Sequence, residues 1–326
     1  MSKTRLTAEQ KTLVAEEMKK ARKLSGDSRD EFIARTIGDV YDVEVGVPEV
    51  ITAIARVESV DVGEHVFFNA PDTITKVVNT IDADCNVVQV KVTPNARTEV
   101  QWTDLVSQEV FVCLHDWLKA DHSVLEFNAD NIMESMDRQE IYAALQLIDA
   151  GAVAESKVFT LDTGKTKYDY PKLVEMARSV AKFGRELVLI TGGNVTTDIQ
   201  LMNYDADKNQ SVSIFDIVSA HIPIEELKVT IDTVEKTVIS PDVAYVVAVS
   251  DSQRNRSLLF ARRKLGDLVQ SADTEMADGN KERIVVNSGN ALNQGNNRKF
   301  SKGFFGVEEY SLTSINDKTY TRFTRV

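Results

Sequence analysis

The sequence predicts an α+β fold, and three observations carry the prediction. Residues 128–151 place Met133, Met136, Tyr142, Ala144, Leu145 and Ile148 at helical spacing. That spacing gives one apolar stripe and leaves Glu134, Asp137, Arg138 and Glu140 on a charged face. Upstream, residues 74–78 and 87–92 alternate as strands do. Downstream, helical segments alternate with apolar strand-like runs such as Glu186-Leu-Val-Leu-Ile-Thr191, the pattern of packed mixed layers. Asn128 or Asp130 can cap the long helix and Gly151 can close it. A rod of about 21 residues spans roughly 30 Å and reads as the backbone on which the rest is hung.

Residues 3–24 form a charged helix with a thin stripe of Leu6, Leu13, Val14, Met18 and Ala21. Ser25-Gly26-Asp27-Ser28 breaks it, and a short helix over about 28–37 carries Phe32, Ile33 and Ile37. A segment this polar buries little by itself, so it is expected to be solvated or to pack as an arm on another subunit. Residues 40–58 read as β-branched and extended, punctuated by Pro48. The strands over 65–68, 74–78 and 87–92 suggest an extended hairpin. Such a hairpin has too little apolar surface to stand alone and calls for a neighbour. Residues 98–119 start extended at Val100 and Trp102, then turn helical through Leu105, Val106, Val110, Cys113, Leu114 and Trp117.

Residues 152–161 are strand-like and 162–169 form a polar loop. Pro171 opens a helix, a favoured first-turn position, with Leu173, Val174, Met176, Ala177 and Val180 inside it and Phe183-Gly184 at its end. The apolar strand over 186–191 closes at Gly192-Gly193-Asn194, and Thr196 or Thr197 caps a short helix through Met202. Further strands are predicted over 229–231, 244–249 and 283–287. Residues 257–265 are apolar and basic by turns, and 288–299 form a loop rich in Asn and Gly. The end alternates as a closing hairpin, with Val307, Tyr310, Leu312 and Ile315 before Asn316-Asp317 and Tyr320 and Phe323 after it.

The 326 residues allow two domains or one elaborated one, with 43% hydrophobic and 27% charged residues as in globular proteins. The net charge of -12 argues against gripping nucleic acid over the whole surface and leaves room for a local basic face. The densest basic run, Arg254, Arg256, Arg262, Arg263 and Lys264, is expected on a solvated or intersubunit face. Cys85 and Cys113 form no Cys-x-x-Cys pair, which argues against structural zinc and suits a reducing compartment. The N-terminal residues lack an apolar signal region, and no run approaches the ~18 apolar residues of a membrane span. A soluble protein used in a cytoplasm is expected.

Motifs of catalysis are weak. Gly164-Lys165-Thr166 has Phe159 where a phosphate loop needs its first glycine. Asp162-Thr163-Gly164 resembles an aspartic protease turn, but that chemistry needs two carboxylates sharing a proton and the chain holds no second copy. His115-Asp116 and Asp121-His122 find no third ligand. The best small-ligand signal is a calcium-type loop in which Asp205, Asp207, Asn209, Ser211 and Asp216 supply oxygens. Gln210 replaces its turn glycine, and Asp216 its bidentate glutamate. No Ser/His/Asp arrangement and no paired acids stand out, so no enzyme is expected and calcium is the one candidate cofactor.

The order of elements resembles the tailed-phage major capsid proteins of the Hong Kong 97-type fold. Glu99-Val-Gln-Trp-Thr-Asp-Leu105 is similar to that family's passage from extended loop to spine helix. The stretch from Tyr170-Pro-Lys-Leu to Leu187-Val-Leu-Ile is similar to its axial-domain opening, and that from Phe305-Gly-Val-Glu-Glu-Tyr to Thr319-Tyr-Thr-Arg-Phe to its closing strands. The resemblance is architectural and covers nearly the whole chain. It implies an N-terminal arm over 1–54, an extended β-hairpin loop over 55–100, and a peripheral domain over 101–165 with its spine helix at 129–150. An axial domain over 166–300 follows, and strands over 301–326 return to the peripheral domain. It further implies hexamers and pentamers closing an icosahedral shell around double-stranded DNA that is contacted weakly. Scaffolding, portal and decoration or cement proteins are the implied partners, with assembly in a host cytoplasm and no membrane. Two other readings compete: an encapsulin-like nanocompartment shell, and a cytoplasmic enzyme with an unrecognised site.

Overall fold

The structure is a computed structural model. It describes residues 47–61, 64–69, 97–108, 110–113, 122–203, 213–224, 228–231, 234–250, 256–264, 274–276, 284–287 and 301–325. The expected N-terminal helices over 3–37 and the hairpin strands over 74–78 and 87–92 lie outside these residues.

Pro48 starts a helical turn, its carbonyl accepting from the Ile51 and Thr52 N–H groups at 2.9 and 3.0 Å. The helix α1 (Glu49–Ile54) buries Val50, Ile51 and Ile54. The sequence reading expects extended chain here. The helical turn prevails because it brings those three apolar side chains onto one face against the core. Then come β1 (Ala55–Asp61), β2 (Phe67–Asn69), β3 (Arg97–Glu99), β4 (Thr103–Val106) and β5 (Val110–Cys113). The last two correct the expected helix over the second half of 98–119. Both pair with one long strand near the C-terminus, and that ladder outweighs the local helical period.

The long helix α2 (His122–Ala154) runs 33 residues, longer at both ends than 129–150. Gly151 lies inside it, because a Cβ there would sit 2.7 Å from Tyr320 Cδ2 and 3.1 Å from Asp317 Oδ1. The glycine therefore serves close packing. The stop comes at Ser156, with φ of 54°. Lys157 N–H donates to Ala152 O at 2.8 Å and Ser156 N–H to Val153 O at 3.0 Å, the paired bonds of a left-handed helix ending.

The remaining elements are β6 (Val158–Thr160), α3 (Tyr170–Val180), β7 (Glu186–Thr191), α4 (Gly193–Asn203), β8 (Ala220–Pro223), β9 (Lys228–Ile231), β10 (Val234–Thr237), β11 (Val243–Val249), β12 (Leu258–Lys264), β13 (Thr274–Met276), β14 (Ile284–Asn287), β15 (Ser301–Ser314) and β16 (Tyr320–Thr324). Asp169 caps α3 by accepting from Lys172 N–H, with Pro171 in the first turn. A short 3-10 turn (Ala181–Phe183) and Gly184 end that segment.

One sheet runs β1-β12-β15-β14-β13, with β4 and β5 also paired to β15. A second runs β6-β16-β11-β7-β8. β11 is buried along its whole length. Tyr245, Val247 and Val249 face a core shared with Ile141, Leu145 and Ile148 of α2. Ala244, Val246 and Ala248 face Leu173, Met176 and Val180 of α3 and Val195 and Ile199 of α4. The period of two thus places a helix layer on each side of this sheet. The first core also takes in Phe260, Tyr310 and Tyr320, so α2 packs on both sheets.

β15 and β16 do not form the expected hairpin: they belong to different sheets. Ile315 and Asn316 N–H both bond Ser257 O, and a 3-10 turn (Asp317–Thr319) capped by the Asn316 side chain redirects the chain. The edges of β15 are already taken by β12, β4, β5 and β14, and β16 finds its partners in β11 and β6.

Candidate functional site

Two features define what this body can do: the lock that fixes α2 to the sheets, and the root from which residues 70–96 leave.

The lock is charged and buried. Arg262, on β12, donates to Glu140 of α2 at 2.8 Å and pairs through Nε with Glu308 of β15. Glu140 is fully buried, and the Arg262 side chain is 15% exposed. Glu140 therefore leaves the charged outer face on which the sequence reading places it, because its turn of α2 faces β12 rather than water. The rest of the basic run also turns inward where it is described. Arg263 bonds Glu309 at 2.5 Å and lies 4.1 Å over the Trp102 ring. Arg256 donates to Thr52 O and Ala55 O at 2.6 and 2.7 Å. These guanidinium groups are internal braces, which corrects the expected solvated or intersubunit face. Burial, and then the Glu140 and Glu308 carboxylates, push the Tyr310 hydroxyl up to about 12. Sequence reasoning missed this trio because nothing local marks which acid faces which base.

On the exposed side of α2, Arg138 pairs with Glu134 at 2.7 Å and donates to Lys228 O at 3.3 Å. Near its C-terminal end, Asp149 pairs with Arg322 at 2.9 Å and accepts from the Tyr245 hydroxyl at 3.3 Å.

The root is the antiparallel pair β2 and β3, with Phe67 opposite Glu99 and Asn69 opposite Arg97. Val60, Val66, Val100, Leu259 and Ala261 bury a small cluster beneath it, joined by Phe68, Trp102 and Ile315. Val100 N–H bonds Val66 O at 3.1 Å, and His65 pairs with Glu99 across the strands. An open cleft of about 400 Å³ beside it is lined by Glu58, Glu64, His65 and Phe67 among others. The root is thus anchored in the body while Phe67 stays 47% exposed.

Of the calcium-type ligands, only Asp216 lies among the described residues, exposed in a 3-10 turn (Ile214–Asp216) that Ser213 caps. Asp205, Asp207, Asn209 and Ser211 lie outside them, as do His115, Asp116 and Asp121. Among the described residues, no group of three His, Cys, Asp or Glu side chains is placed to hold a metal. Asp162-Thr163-Gly164 forms a surface turn, with Gly164 at φ 87°. Lys172 bonds Asp162 at 2.8 Å and Glu175 at 2.7 Å, and the Lys172 bond holds Asp162 below the usual carboxylate range. Among the described residues, no helix is long and apolar enough to cross a membrane.

No family model and no curated protein matches the sequence. Solved structures do. A chain of Microbacterium phage Oxtober96 is 12% identical and aligns with a TM-score of 0.55 over 87% of this chain and 93% of its own. One of Mycobacterium phage Adephagia is 12% identical, with a TM-score of 0.53 over 85% and 89%. One of Mycobacterium phage Bobi is 13% identical, with a TM-score of 0.51 over 89% and 94%. At such identities the likeness is one of fold: a mixed helix and sheet architecture shared with these phage chains.

Proposed function

We propose that this chain is a phage major capsid protein of the Hong Kong 97-type fold, with a structural rather than a catalytic role. The observation that carries the reading is the fold match to phage structures over most of both chains. In this reading α2 is the spine of the peripheral domain, and the pair β2–β3 is the root of the extended loop. The chain before α1 is the arm, 166–300 the axial domain, and 301–326 return the chain to the spine. Contacts of α2 with both β15 and β16 support that return. The physical logic is that an arm and a long hairpin gain burial only against neighbours, and a closed shell of hexamers and pentamers supplies many. The net charge of -12 suits a container that must hold double-stranded DNA without gripping it everywhere. Scaffolding, portal and decoration or cement proteins would be its partners in a host cytoplasm, and the virion capsid its destination.

Electron microscopy of the purified chain tests the reading. Closed shells or capsomer rings are expected; a stable monomer at high concentration overturns it. Co-expression with a scaffold and a portal should then yield particles holding nuclease-protected DNA, whereas particles filled with protein cargo would point to a nanocompartment shell.

A further inference from the structure

Two lysines crowd one aromatic ring where α2 and α3 both end, and a third lies in an adjoining turn. Lys157 follows the last turn of α2, Lys182 and Phe183 belong to the 3-10 turn after α3, and Lys318 lies in the turn before β16. Lys157 Nζ sits 4.7 Å and Lys182 Nζ 4.9 Å from the Phe183 ring centroid. Lys157 Nζ also donates to the Lys318 carbonyl. Beside them is a cleft of about 310 Å³ lined by Ala181, Lys182, Phe183, Gly184, Arg185 and Ser250. Its floor is firm: a Cβ on Gly184 would meet Val249 O at 2.6 Å. Lys182, Arg185 and Lys318 are exposed.

Helix dipoles explain part of this arrangement, because a cation is favoured at a helix C-terminus. They do not explain why three converge. Partial burial lowers the Lys157 pKa; the Glu155 carboxylate opposes the shift, and the Lys182 and Lys318 charges add to the lowering. Glu155 offsets part of the mutual repulsion of these lysines. Their crowding stands out in a protein with 50 acidic against 38 basic residues, where carboxylates to dilute it are plentiful. A bound anion relieves what remains.

We propose that the cationic cleft around Phe183 is a sequence-independent contact for the phosphate backbone of double-stranded DNA. The proposal rests on the shell reading above and says which surface meets the contents. Lysine ammonium groups are mobile point charges with three donors each, suited to phosphates whose position along a duplex varies. The acidic remainder of the surface repels the duplex and confines the contact to this patch.

The test is fluorescence anisotropy of the full chain with a short random-sequence duplex, titrated from low to physiological salt. Lys157→Gln/Lys182→Gln should flatten the slope of log affinity against log salt by about 2, at about 0.9 per neutralised phosphate. Lys182→Gln/Lys318→Gln should do the same, with circular dichroism and melting confirming the fold of both. Lys228→Gln/Lys236→Gln removes equal charge from β9 and β10 and should leave the slope at the wild-type value. Wild-type slopes in both cleft variants overturn the proposal. So does an equal loss in the β9/β10 variant, since net charge alone would then govern binding. Cleft variants that bind DNA as wild type but form no particles assign the patch to contacts between copies, which also overturns it. A wild-type chain that forms no particles while the cleft variants still lose DNA binding keeps the cleft and sinks the shell reading.

Discussion

Replacing Arg262 by methionine tests whether the spine is held by a buried charge lock. The substitution keeps a long unbranched side chain and removes the guanidinium that reaches Glu140 at 2.8 Å and Glu308 beside it. Both carboxylates then stay in place with almost no water access, since their residues are 0% and 2% exposed. Stranding a buried partner costs about 3–5 kcal/mol, against a typical total stability of about 5–15 kcal/mol. The control is Arg138→Met. Its partner Glu134 is 37% exposed and sits one turn away on the same helix, so the expected cost is only about 0.3–0.5 kcal/mol. Urea unfolding of the unassembled subunit, followed by circular dichroism, reads both. Glu140→Gln/Arg262→Met should recover part of the loss, because an amide carries no stranded charge. If Arg262→Met costs under about 1 kcal/mol, the trio behaves as a solvated ion pair and the lock is refuted.

Gly151→Ala pits two effects against each other. Helix propensity favours alanine by about 1 kcal/mol, but the new Cβ meets Tyr320, which is fully buried and donates to Ser257 O at 3.0 Å. Overpacking of about 1–3 kcal/mol should win, and a rise in melting temperature would show that Tyr320 yields. Burial lowers the His221 pKa from 6.5. The unfolded chain therefore binds more protons in the window just below 6.5, so stability rises with pH there and is lost as the solution is acidified. His221→Gln, removing that titration beside Thr191, should flatten the dependence, and an unchanged pH profile would refute it. Deleting residues 1–24, or cutting out 71–86, should leave a folded subunit with native circular dichroism and stop particle formation in electron micrographs. Normal particles from the first deletion would refute the arm, and global unfolding after the second would place the hairpin in the core.

Legibility in the sequence tracked how local each signal is. The 186–191 strand and the α3 start at Pro171 were readable, because burial on both faces and first-turn chemistry depend on adjacent residues. The apolar stripe of α2 was also readable from its steady period, and it packs in one core with Tyr310, Leu312 and Tyr320. The segment over 103–113 was misread because Leu105, Val106 and Val110 fit a helix until the partner β15 is known. The hairpin strands expected over 74–78 and 87–92 lie outside the described residues, and the pairing of β2 with β3 was not marked in the sequence.

The sequence by itself determined the long helix, the apolar strands, the absence of a convincing catalytic motif, and the resemblance that ordered them. These depend on periodicity and composition, which neighbouring residues fix among themselves. Only the tertiary structure decided that Glu140 is buried, that the Arg256–Arg263 cations brace the interior, that β15 and β16 part into separate sheets, and that Lys157 and Lys182 meet over Phe183. Each of those joins residues far apart in the chain. Their pairing is selected by which backbone edges and which buried charges remain to be satisfied once the layers have packed.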